Sequence, residues 1–229
     1  MLPRVVTIKS TANHCGVEGT PRDRDGLLNT RLVEFLDELP LYVTIYEKLE
    51  TQRRRDLRFQ LLDLGKQVSS GTRNWVRQDL DYIALWRGMR PCRLMVDSVT
   101  FEDSLKCALG IDDERSKVRA LCNIRGIGPA LASTLLSFTW PENFGFVDHR
   151  TWNASRYLRG EFARKYYASV FTIAQLLGYF EVLRNLGEMR SVSSMEIAKA
   201  LYALDDVKTR DNWREAQFCI ERTVSLGRS

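Results

Sequence analysis

Residues 121–152 read LCNIRGIGPALASTLLSFTWPENFGFVDHRTW. Gly126 and Gly128 flank a single isoleucine. Glycine takes positive φ without strain, so the chain can reverse tightly here. Pro129 suits the first turn of a helix, where its missing N–H costs nothing. Leu121 and Ile124 lead into the turn, Ile127 sits at its apex, and Leu131, Leu135 and Leu136 follow it. That register predicts two helices packed across a hairpin over 112–138, with the small residues Ala130, Ala132 and Ser133 allowing close approach. The first amides of the second helix have no partner inside the helix, and its dipole favours an anion. A DNA phosphate is the natural occupant, and such a contact positions without reading sequence. The same residues also read as an ordinary helical corner with glycine caps.

Outward from this stretch the helical period dominates. Residues 27–39 form one amphipathic run ended by Pro40, 41–67 is long enough for two helices, and 72–88 carries Trp75, Val76, Leu80, Ile83 and Leu85 near one face before Pro91 breaks it. Thr100 and Asp103 read as a capping pair, Asp112 or Asp113 caps 114–123, and Ser193 with Glu196 forms a capping box. Gly160 closes the helix after Asp148, Gly178 interrupts a long helix over 161–187, and Asp211 caps the last one. Only RLMVDSVTF, residues 93–101, looks strand-like. The expected fold class is all-α.

Composition narrows the function. The chain has 229 residues, 44% hydrophobic and 28% charged, enough for one large domain or two small lobes. A formal charge of +5 permits nucleic acid as partner. Between Leu41 and Arg93 there are 11 Lys/Arg against 6 Asp/Glu, so this stretch holds the whole excess. Arg53–Arg58, Arg73, Arg77, Arg87, Arg90 and Arg93 are its candidates for a DNA face, with a merely solvated helix face as the alternative. The five cysteines are widely spaced with no C-x-x-C, and there are two histidines. A disulfide framework, an iron–sulfur cluster and a zinc set are not expected. The N-terminus lacks a signal-peptide core and no run approaches a membrane span, so a soluble, cytoplasmic protein without a membrane partner is expected.

LCNIRGIGPALASTLL resembles the helix-hairpin-helix of the DNA glycosylase superfamily that includes endonuclease III and the 8-oxoguanine glycosylases. Those proteins follow the hairpin with a Gly/Pro-containing loop and an essential Asp; here stand Pro141, Gly145 and Asp148. The bifunctional members carry a lysine two residues after the second hairpin glycine and the Asp 18 residues further on; those positions are Ala130 and Asp148. The resemblance covers about residues 112–159 and is architectural elsewhere. It implies a two-lobed helical fold: an arm over 1–25, one lobe over 41–146, a second over 26–40 plus 147–229, and a cleft between them. It implies a monomer acting on double-stranded DNA that contains a damaged or modified base.

Asp148 precedes the helix HRTWNASRYL, and Asp is a favoured N-cap, which is one complete reading of it. The resemblance implies another. A carboxylate held at the helix start faces the flipped nucleotide, stabilises positive charge on the sugar as the base leaves, and orients or deprotonates water. Ala130 cannot form the Schiff base a lysine would, so the implied enzyme is monofunctional and leaves an abasic site. The amides of Gly126, Gly128 and Ala130 would hold the phosphate, and Arg150 would meet the strand with Arg87 and Arg90. The carbonyls of Cys122, Ile124 and Ile127 would hold a structural Na+ or K+ ion, the sole cofactor implied. Base flipping needs a wedge and a pocket: Met89 or Pro91 for the wedge, Trp86, Tyr82, Trp75 or Trp152 for the walls, each of these aromatics reading first as core. Repair of damage and attack on modified phage DNA are both open. So are a non-catalytic DNA-binding protein and a glycosylase with lyase activity from a distant amine.

Overall fold

The computed structural model describes residues 30–88, 98–159 and 171–208. Among these residues every regular element is a helix, as expected. They run α1 (30–37), α2 (Leu39–Leu49), α3 (Gln52–Ser69), α4 (Arg77–Trp86), α5 (Ser98–Leu109), α6 (Glu114–Asn123), α7 (Pro129–Thr139), α8 (His149–Leu158), α9 (Ile173–Arg190) and α10 (194–208). No helix among the described residues is long and apolar enough to cross a membrane.

The molecule is organised around α7. Every residue from Leu131 to Thr139 is buried, as befits a helix apolar nearly all round. It packs against α3, α6 and α9. Its few hydroxyls are satisfied locally: Ser137 donates to the Thr134 carbonyl and Thr139 to that of Leu135, and Thr139 also accepts from Trp75 Nε1 at 2.9 Å. α3 crosses α7 in backbone contact. A Cβ at Gly65 would lie 1.9 Å from the Phe138 carbonyl oxygen, so only glycine fits this crossing. One continuous apolar core reaches from Phe35 on α1 to Leu204 on α10.

The 140–148 loop is held from both sides. Its Pro141 and Glu142 carbonyls accept the Met195 and Ser194 amides at 3.0 and 3.2 Å, capping the first turn of α10. At Gly145 an added Cβ would lie 2.5 Å from Leu183 Cδ1 and 2.7 Å from Ala198 Cβ, so the loop is pressed between α9 and α10.

Several boundaries follow the sequence. Asp113 caps α6 through the Ser116 amide at 2.7 Å, and Ser193 and Glu196 exchange capping bonds at 3.2 Å each. Others differ. Pro40 lies in the first turn of α2, which follows α1 after one turn residue, so it opens a helix there. α5 already runs from Ser98, so Thr100 and Asp103 are interior, and the last residues of the strand-like RLMVDSVTF are helical. α9 passes unbroken through Gly178, which is exposed and meets nothing a side chain would clash with. Gly160, Asp211 and residues 93–97 lie outside the described residues.

Candidate active site

The hairpin forms, with its tight turn at Gly126. α6 ends at Asn123, the Ile127 amide donates to the Ile124 carbonyl at 2.9 Å, and Gly126 takes φ 98°. Ile127 is 2% exposed and plugs the turn onto the core, while Gly126 and Gly128 face solvent. Gly128 is the N-cap of α7, and no side chain caps that helix. Gly128 has an ordinary φ of −86°, and an added Cβ would meet nothing within 4 Å. Neither conformation nor packing among the described residues therefore calls for glycine at 128. The Leu131 and Ala132 amides return to the Gly128 carbonyl, whereas those of Gly128 and Ala130 precede the helical ladder. Of the carbonyls expected to hold a cation, that of Ile124 already accepts the Ile127 amide. Among the described residues no group of three or more His, Cys, Asp or Glu is placed to hold a metal ion.

A buried polar network ties this hairpin to Asp148. The Val147 amide donates to Ser133 Oγ at 3.0 Å, and Ser133 donates to the Ala130 carbonyl at 2.8 Å. Arg87, just after α4, donates from Nη2 to the Val147 carbonyl and from Nη1 to the Ala130 carbonyl, both at 2.9 Å, and from Nη1 to Thr134 Oγ1. The Tyr179 hydroxyl holds the Phe146 carbonyl at 3.1 Å. The peptide groups either side of Val147 are thus anchored to the first turns of α7, one residue before Asp148. Burial lowers the Arg87 pKa, and the nearby Asp148 charge opposes that shift. Burial likewise pushes the Tyr179 phenol up.

Asp148 is the N-cap of α8. Its Oδ1 accepts the Arg150 and Thr151 amides at 2.9 Å each, and Thr151 Oγ1 accepts the Asp148 amide at 2.9 Å. Both bonds from the helix fall on one carboxylate oxygen, and Oδ2 takes no part in the cap. The residue is half-buried.

The remaining expected site residues are scattered. Arg150 pairs with Asp206 on α10 at 3.0 Å and lies over the Tyr202 ring at 4.7 Å. Trp86 is 1% exposed, donates to Glu50 at 2.9 Å and meets Phe138 and Phe146 edge-on, so it belongs to the core and lines no open wall. Trp75 is core as well. Tyr82 is half-buried, its hydroxyl accepting from Gln78. Trp152, one turn after Asp148, packs on Phe171 and Tyr179. Met89, Arg90, Pro91 and Arg93 lie outside the described residues.

Part of the basic stretch is turned to the chain itself, while Lys48, Arg53, Lys66 and Arg77 are exposed. Arg54 donates to the Trp86 carbonyl, Arg55 to the Glu47 carbonyl, Arg58 to Glu50, and Arg73 binds both oxygens of Asp79. Sequence reading missed Ser133, Thr134 and Tyr179 as positioning groups. The signal for the first two was present: adjacent hydroxyls inside a helix with no polar face need partners. Comparison with family models, with curated proteins and with solved structures returns no match.

Proposed function

We propose that this chain is a monofunctional DNA glycosylase that hydrolyses the N-glycosidic bond of a damaged or modified base flipped from duplex DNA. One observation carries the reading. An uncapped helix start with exposed glycines is bonded, through Arg87 and Ser133, to the peptide next to a half-buried carboxylate whose Oδ2 is outside its cap. The Gly126, Gly128 and Ala130 amides would take a backbone phosphate. That contact would bring the adjoining sugar toward Asp148, at the edge of a cleft between the lobes 41–146 and 26–40 plus 147–229.

In the proposed reaction water adds at C1′ of the deoxyribose. The C1′–N bond breaks with its electron pair passing to the base, which takes up a proton as it leaves. Asp148 orients the water, accepts its proton and stabilises the positive charge on the sugar. Ala130 offers no amine, so the product is an intact strand with an abasic site.

The test is a mass-spectrometric screen for released bases from alkylated, oxidised, deaminated and hypermodified phage DNA. Wild type should release one class, and Asp148→Asn should release it at least ~100-fold more slowly while remaining folded, because Asn is an equally good cap. Equal rates would remove Asp148 from catalysis. DNA binding with no released base would leave a binding protein that uses Asp148 as a cap. Borohydride trapping of a covalent adduct would instead indicate lyase chemistry from another amine.

A further inference from the structure

Five arginines on and beside α3 and α4 are engaged within the chain, which raises the question of where a polyanion would lie. Arg54, Arg55, Arg58, Arg73 and Arg87 spend their guanidinium groups on carbonyls and carboxylates of this chain. Of the nine described cations between Leu41 and Arg87, these five are therefore engaged within the chain, while Lys48, Arg53, Lys66 and Arg77 are exposed and scattered over three helices. α6 differs. Arg115, Arg119 and Asn123 are exposed and spaced four residues apart, so they stand in one row along the helix. At about 1.5 Å per residue the row is about 12 Å long. It runs directly into the hairpin turn, where Arg125, Gly126 and Gly128 are exposed as well. The acids at the far end of the row are partly engaged: Asp113 caps α6, and Glu114 pairs with Arg184 on α9 at 2.7 Å.

We propose that the phosphate-binding surface extends from the hairpin back along α6 through Arg125, Asn123, Arg119 and Arg115, and does not cross α3 and α4. This rests on DNA being the partner. The amides at the start of α7 hold one phosphate, and the α6 row carries the same strand away from Asp148. The row reads no base; it supplies charge and hydrogen-bond donors to the backbone.

The experiment measures binding of a fluorescein-labelled random-sequence DNA duplex by anisotropy across a salt series. It compares wild type with two triple variants of equal charge change. One is Arg115→Gln, Arg119→Gln and Arg125→Gln. The other is Lys48→Gln, Arg53→Gln and Lys66→Gln, exposed cations of α2 and α3. The α6 triple should shallow the slope of log K against log salt by roughly 2 to 3, since each phosphate contact contributes about 0.9. The α2–α3 triple should change it by less than about 1. A triple Arg→Lys variant on α6 should keep most of the slope, and circular dichroism should show all variants folded. Equal effects of the two Gln triples, or a larger effect of the control, would overturn the placement. Failure of wild type to bind duplex at any salt would overturn it together with the DNA reading. A slope change confined to the α6 triple would support it even if no base is ever released.

Discussion

Gly65→Ala isolates the contact on which the fold turns. The added methyl would sit 1.9 Å from the Phe138 carbonyl oxygen, 2.5 Å from its carbon and 3.2 Å from the Thr139 nitrogen. All three are backbone atoms of α7, so no rotamer change relieves the clash. The helices must part by about 1 Å, which opens gaps among Leu61, Leu135 and Phe138 and forfeits a quarter to a half of each affected contact. Overpacking of this kind costs about 3 kcal/mol, and the better helix propensity of Ala returns up to about 1 kcal/mol. The net loss should be about 2 kcal/mol, or about 4–8 °C in Tm for a chain of this size. Gly178→Ala provides the matching control. It is exposed in mid-helix with nothing near the new methyl, so it should gain about 0.5–1 kcal/mol. Urea and thermal melts followed by far-UV circular dichroism read both. A Gly65→Ala variant as stable as wild type would refute the backbone contact between α3 and α7.

Two further outcomes follow from the polar interior. Arg87→Met should lose about 2–4 kcal/mol, because the Val147 carbonyl loses its charged donor and Thr134 a partner, and Arg87→Lys should recover only part of that; unchanged urea midpoints would mean the network carries little. Lys199, 7% exposed, has its pKa lowered chiefly by burial, with Arg58 adding to it. The folded chain binds this proton less tightly than the unfolded chain, so the penalty is full below the lowered value and fades as pH rises toward the ordinary lysine value. Lys199→Met should therefore raise Tm at neutral pH, with the gain shrinking in alkaline buffer; a drop in Tm at neutral pH would contradict this.

Local features were the legible ones. The helix periods, Asp113 as a cap, the Ser193–Glu196 box and the tight glycine turn each depend on residues within a few positions of one another. Where neighbours are distant, reading from sequence went astray. Gly178 looked like a break because glycine is a poor helix former, yet α9 gains enough packing through Leu176, Tyr179, Phe180 and Leu183 to run straight through it. Arg54, Arg55 and Arg58 looked like a surface charge run, but their acceptors lie on α2, just after it and at the end of α4, and only packing brings those within reach.

The residues from Leu121 to Trp152 by themselves determined a hairpin of two helices, an open helix start and a capping Asp, because φ preference, helical period and side-chain capping are properties of adjacent residues. Only the tertiary structure decided that the hairpin and the Asp are one assembly. The link runs through Arg87, far back in the chain, whose guanidinium reaches the Ala130 and Val147 carbonyls together. Desolvation makes that reach binding: carbonyls buried beside α7 must find donors, and the fold supplies them from an arginine whose sequence neighbours give no sign of it.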